Sequence, residues 1–174
     1  VVGHSKGTVP VLRFAARQEE EGRRRRRRDD GADRSDPAKG CTGTEAVPYF
    51  VNMAGRFSLP GEFEPSTKFS EDQLEELSRR GKFLYMTRGD KRLEITEKDI
   101  LERKESDSSA VSGITKAAVL TIHGDSDKVV PVENAKKFSD AIFNHELHII
   151  EGADHNFNGL KFIDTITSKI VDFI

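Results

Sequence analysis

A serine set between two glycines, where a pair of valines runs into a helical pattern, constrains this chain more than any other feature. Val1-Val2-Gly3-His4-Ser5-Lys6-Gly7-Thr8 reads as the end of a buried strand turning straight into a helix, with Ser5 at the turn. The Gly-x-Ser-x-Gly pattern lifts a serine hydroxyl clear of the backbone on a strained strand-to-helix turn. Side chains at positions 3 and 7 are expected to collide where strand and helix cross, and glycine removes both. By chance alone the pattern turns up in about one chain of this length in twenty. Its weight therefore depends on partners further along the chain.

Such a serine is followed in chain order by an acid and then a histidine, each placed just after a strand. Ala117 to Ile122 is an apolar, β-branched run that breaks at His123-Gly124-Asp125-Ser126-Asp127-Lys128-Val129-Val130-Pro131. Asp127 is the candidate acid, with Asp125 beside it as the alternative. Leu147-His148-Ile149-Ile150 breaks at Glu151-Gly152-Ala153-Asp154-His155, and His155 is the candidate base. His148 competes, but it lies inside the strand, whereas catalytic groups of open parallel sheets project from loops beyond the carboxyl ends of the strands. A metal pair of His145 and His148 fails on parity, because residues three apart on a strand face opposite ways. Neither metal nor cofactor is expected.

Together these stretches resemble the α/β-hydrolase family, and within it the monoacylglycerol-lipase-like and serine-aminopeptidase-like hydrolases, many of them plant proteins. The carriers are Gly3-His4-Ser5-Lys6-Gly7, His123-Gly124-x-x-Asp127-x-x-Val130-Pro131 and Glu151-Gly152-Ala153-Asp154-His155. The resemblance covers Val1 to Phe14 and Pro48 to Ile174, while Arg17 to Glu45 matches nothing in the family. It implies a partial α/β-hydrolase fold: a mostly parallel sheet with flanking helices and a cap insertion over residues 61–113. It also implies Ser5 as nucleophile, His155 as base and Asp127 as acid, the His-Gly-x-x-Asp pattern selecting Asp127 over Asp125. The backbone N–H of Lys6 becomes an oxyanion-hole donor. The reaction class is then acyl transfer to water on a small-molecule ester or acyl substrate, with esters favoured and peptides open. Thr8 and Pro10 depart from the family pattern after the second glycine. The family's sheet has strands ahead of the elbow, and its second oxyanion donor comes from a loop after an early strand. Residues 1–174 are therefore expected to be one incomplete domain and a weak enzyme or none.

The remainder of the chain brings composition into the argument. At 174 residues there is material for one domain with a core, yet hydrophobic residues make up only 35% and charged residues 33%. That balance is lean for an α/β domain and predicts a portion that does not pack. Residues 18–45, dominated by Glu19 to Glu21, Arg23 to Arg28, Asp29 and Asp30, cannot bury enough apolar surface to offset their ordering entropy and are expected to be a disordered insertion. The arginine run suggests a nucleic-acid or nuclear-localisation patch. Against it, Arg17 to Asp36 holds eight basic and seven acidic residues, and the whole chain carries a net charge of −2. No nucleic-acid partner is expected. The single cysteine, Cys41, excludes an internal disulfide and fits a reducing, cytoplasmic setting. No apolar run approaches a membrane span. Two other classes compete: a non-catalytic binding module on the same fold, and an arginine-rich interaction protein.

Periodicity and punctuation place the elements. A helix is predicted over Thr8 to Glu21 with Pro10 in its first turn and an apolar face of Val9, Leu12, Ala15 and Ala16. Strands are predicted at Tyr49 to Met53, Ala117 to Ile122 and His145 to Ile150. Ser70 and Thr96 are placed to cap two short helices, the first by a capping box with Gln73 and the second running to Glu102. Lys82 to Thr87 and Lys91 to Thr96 form a hairpin around Arg88-Gly89-Asp90, a triplet better explained by turn chemistry than as an integrin ligand. Phe63, Phe69, Phe83, Leu84 and Tyr85 line either a substrate pocket or the cap's own small core. Helices are expected from about Val132 to Ile142 and from Gly159 to Ile174, the last packing through Leu160, Ile163, Ile166, Thr167, Ile170 and Phe173.

Overall fold

A computed structural model describes residues 1–29, 46–86 and 92–174. Cys41 and the Arg88-Gly89-Asp90 turn lie outside them, as do residues 30–45 of the segment expected to be an insertion. In chain order the elements are β1 (Val2–His4), α1 (Thr8–Asp29), β2 (Tyr49–Met53), α2 (Glu71–Arg80), β3 (Lys82–Met86), β4 (Arg92–Thr96), α3 (Glu97–Lys104), β5 (Ala118–Gly124), α4 (Glu133–Ala141), β6 (His145–Ile150) and α5 (Leu160–Phe173). They divide between two compact units, Val1–Phe57 with Ser108–Ile174, and Ser58–Asp107.

The larger unit is a four-stranded parallel sheet in the order β1-β2-β5-β6. Parallel pairing needs crossovers that cover the sheet, so its central strands are buried on both faces and read as nearly continuous apolar runs. Val119, Leu120 and Ile122 of β5 and Phe50 and Val51 of β2 are all at most 2% exposed. Alternation along the strands divides the core in two. Phe50 and Val119 pack with Leu12, Ala15 and Ala16 of α1 and Phe138 of α4. Val51, Leu120 and Ile122 pack with Phe162 and Ile166 of α5. The expected stripe of α5 is rotated: Leu160 is 81% and Ile163 53% exposed, and Phe162 takes their place beside Ile166, Ile170 and Phe173.

The largest departure is at α1, which continues to Asp29, so residues 18–29 of the stretch expected to be disordered are helical. Two forces hold that extension without apolar side chains. Glu19 pairs with Arg23 at 3.7 Å and Glu20 with Arg24 at 2.5 Å, the i,i+4 spacing that supports a helix surface. More decisively, the Glu19 carboxylate accepts from the backbone N–H groups of Thr115, Lys116 and Ala117 at 2.7–3.0 Å and from the Thr115 hydroxyl at 2.8 Å. A negative side chain thus closes the open N–H groups at the entry to β5.

Ser58–Asp107 is built by local rules. The capping box is present at Ser70, whose hydroxyl accepts from Gln73 N–H while the Gln73 side chain accepts from Ser70 N–H. Gly81 ends α2 in the left-handed conformation, at φ 70°. Thr96 and Asp99 form the same box at the start of α3. β3 and β4 pair antiparallel. Phe69, Leu77 and Phe83 form the core of this unit, with Phe63, Leu74, Tyr85, Ile95 and Ile100 packed on it. Of the two readings of the aromatic residues the structure takes the small core, and Leu84 stands 56% exposed.

Candidate active site

Three loops at the carboxyl ends of β1, β5 and β6 converge. The first is the elbow. Ser5 follows β1 with φ 52°, a left-handed conformation that a non-glycine side chain holds only at a cost of about 1–3 kcal/mol. It opens a 3-10 turn, Ser5–Gly7, that leads into α1. A Cβ added at Gly3 would stand 2.8 Å from both Gly7 O and Thr8 Cα, so the strand can cross the helix only with glycine there. Gly7 differs from the expectation: its missing Cβ faces open space. The crossing crowds the strand side of the turn and leaves the helix side clear. Lys6 lies in the turn after Ser5, at the start of the helix, where backbone N–H groups have no carbonyl one turn behind them.

The second loop carries Asp127, whose side chain is fully buried. Its Oδ1 accepts from Val129 N–H at 2.7 Å and Val130 N–H at 2.8 Å. Its Oδ2 accepts from His155 Nδ1 at 2.7 Å. Burial by itself would raise the carboxyl's pKa. The Val130 N–H, the His155 ring and the Val129 N–H together outweigh it and hold the group below the usual aspartate range.

The third loop brings in His155. Its Nε2 lies 3.0 Å from Ser5 Oγ, so one imidazole bridges hydroxyl and carboxylate. A carboxylate can only accept, so Nδ1 carries the hydrogen and the Nε2 lone pair faces the serine. The loop is shaped by Asp154, whose carboxylate takes the N–H groups of Asn156 and Asn158 and the Asn158 amide, while Phe157 sits at φ 54°. The two loops are laced together: Ser126 N–H donates to Ala153 O at 3.1 Å and Gly152 N–H to Asp125 Oδ1 at 2.7 Å. A Cβ on Gly124 would run into the Ala153 carbonyl, so glycine is required where the loops touch.

The structure therefore brings together Ser5, Asp127 and His155, with Lys6 beside them, and separates the alternatives. Asp125 is turned to Gly152. His148 bonds Glu146 at 2.5 Å on β6. His145 bonds the Thr121 hydroxyl at 2.7 Å, and burial lowers its pKa to about 4, partly offset by Glu146. Two residues escaped sequence reasoning. His4 Nε2 donates to the His155 carbonyl at 2.9 Å, with the two rings 5.3 Å apart. His123, named only as part of a motif, lies fully buried against Asp127. No signal marked His4, since the variable positions of the elbow pattern carry none.

Neither a protein-family model nor a curated protein matches this sequence. Solved structures do. Alpha/beta hydrolase domain-containing protein 10 from mouse superposes with a TM-score of 0.61 at 18% identity over 98% of this chain and 59% of its own. Est1E from Butyrivibrio proteoclasticus gives 0.59 at 15% identity over 99% and 58%. A serine hydrolase involved in carbazole degradation gives 0.53 at 17% over 99% and 61%. The fold is a partial α/β-hydrolase fold. The chain spans about 58–61% of the length of these α/β-hydrolase structures. Among the described residues no helix is long and apolar enough to cross a membrane.

Proposed function

We propose that the chain carries the nucleophile, base and acid of a serine hydrolase acting on carboxylic esters. The observation that carries this reading is the bridging imidazole, 3.0 Å from Ser5 Oγ and 2.7 Å from Asp127 Oδ2. Ser5 Oγ attacks the acyl carbonyl while His155 Nε2 takes its proton, and the same nitrogen then delivers that proton to the departing alkoxide. Asp127 holds Nδ1–H and stabilises the imidazolium. The Lys6 N–H donates to the oxyanion. Water, activated by the same imidazole, then attacks the acyl-enzyme and releases the acid. The monoacylglycerol-lipase-like subtype, the choice of ester over peptide and the cap role of residues 61–113 belong to this proposal.

In this fold a second oxyanion donor comes from a loop after an early strand. Each such donor contributes about 10² to 10³ in rate. The test is release of nitrophenol from a short-chain nitrophenyl ester by this chain and by a version extended at its amino terminus. Turnover in the extended form that disappears with Ser5→Ala supports the reading, and turnover that survives Ser5→Ala refutes it.

A further inference from the structure

The loop that holds the acid is braced by a side chain that the mechanism leaves out. His123 is the penultimate residue of β5, is wholly buried, and has Nε2 2.9 Å from the carbonyl of Val130. A carbonyl only accepts, so this nitrogen carries the hydrogen and Nδ1 carries the lone pair. Nδ1 is buried and has no partner. The same Nε2 stands 3.3 Å from Asp127 Oδ2, the oxygen that accepts from His155 Nδ1. The backbone of Val130 is thus held on both sides: its N–H donates to Asp127 Oδ1 and its C=O accepts from His123.

We propose that His123 is a positioning residue, which fixes the Asp127 loop through the Val130 carbonyl. The proposal rests on the hydrolase reading for its consequence in catalysis, but the geometry it describes belongs to the acid–histidine pair alone. The titratable groups around the pair are few. Asp127 faces His123 from β5 and His155 from the loop after β6, and His155 faces the Ser5 hydroxyl and the His4 ring from β1. Asp125 and Asp154 are engaged elsewhere, on Gly152 and on Asn156 and Asn158.

Without the His123 donor the Val130 carbonyl loses its partner, and the Val129 and Val130 N–H groups that hold Asp127 Oδ1 are no longer fixed. Asp127 Oδ2 then meets His155 Nδ1–H less well. A side chain that merely filled the space of His123 would not restore that contact.

The experiment is histidine NMR at one fixed pH, which resolves the five histidines of the chain and reads the Nδ1–H proton that His155 donates to Asp127. In His123→Asn, whose amide falls short of Val130, and in His123→Phe, which keeps the ring and lacks the donor, that resonance should move upfield or be lost to exchange with solvent. His123→Gln, whose amide can reach the Nε2 position, should restore it. An unmoved resonance in whichever of Asn and Phe folds, or a Gln variant that behaves like Asn, overturns the proposal. Ester hydrolysis is measured on the same samples. Its absence throughout would count against the hydrolase reading, while the Nδ1–H resonance would still decide the role of His123.

Discussion

Ser5, His155 and Asp127 differ in how their loss should register, because each acts on a different bond. In a chain that turns over, Ser5→Ala and His155→Ala should each remove nearly all catalysis with the fold retained, since both face a common loop junction and neither fills the core. Asp127→Asn should lower kcat by about 10⁴, because an amide cannot hold the Nδ1–H tautomer. Asp125→Asn should change the rate less than tenfold: its side-chain oxygen can still accept from Gly152. Steady-state kinetics of the four variants checks the assignment, and a large loss in Asp125→Asn with a small one in Asp127→Asn would reverse it. The glycines of the elbow separate in the same way. Gly3→Ala forces a Cβ to 2.8 Å from backbone atoms of the helix and should lower stability by about 1–3 kcal/mol. Gly7→Ala meets nothing within 4 Å and should stay within about 0.5 kcal/mol of the parent in denaturant unfolding.

At the scale of elements, α1 offers the sharpest test. Its extension beyond the apolar face depends on Glu19, whose side chain is 8% exposed and closes three backbone N–H groups. Glu19→Ala should lower stability by about 2 kcal/mol, the cost of leaving partly buried donors unpaired. It should also speed amide hydrogen exchange in Gly22 to Arg27 while Leu12 to Ala16 stay protected. Uniform exchange along α1 in both forms would show that the extension does not depend on this contact. This element also shows why the sequence was only partly legible. Strands β2, β5 and β6 and helices α3 and α4 could be read within one or two residues, and α2 at its start, because apolar runs, capping boxes and turn residues are local signals. Glu19 reaches across 96 residues to Thr115, and nothing local announces such a contact. The rotated face of α5 was missed because Leu160 and Ile163 share the helical spacing of the residues that do pack. In the site, residue order and strand ends singled out Ser5, Asp127 and His155, which stand in one hydrogen-bonded row. His4 and the brace at His123 depend on side-chain directions that spacing does not reveal.

Over the whole molecule, buried titratable groups set how stability responds to acid. His145 has its pKa lowered from 6.5 to about 4 by burial. The unfolded chain therefore binds this proton more readily than the folded one, and stability falls as pH drops from about 6.5 toward 4. Asp127 and Glu19 are held below their ordinary values, burial being outweighed in each by hydrogen-bond donors. Their contribution is present above the usual carboxylate range and is lost as pH falls through it. Melting temperatures should thus decline in two stages, first between about pH 6.5 and 4, then more steeply below. His145→Phe should flatten the first stage and leave the second. A first stage that persists in the variant would place its origin elsewhere.

The central claim is that Ser5 is an activated nucleophile, and fluorophosphonate labelling measures it most directly, since even a slow enzyme accumulates the adduct over hours. Peptide mapping of the labelled chain should find the phosphonyl group on Ser5, with the adduct absent in Ser5→Ala and strongly reduced in His155→Ala. An unlabelled Ser5 in the intact, folded protein, or equal labelling with and without His155, would contradict the account.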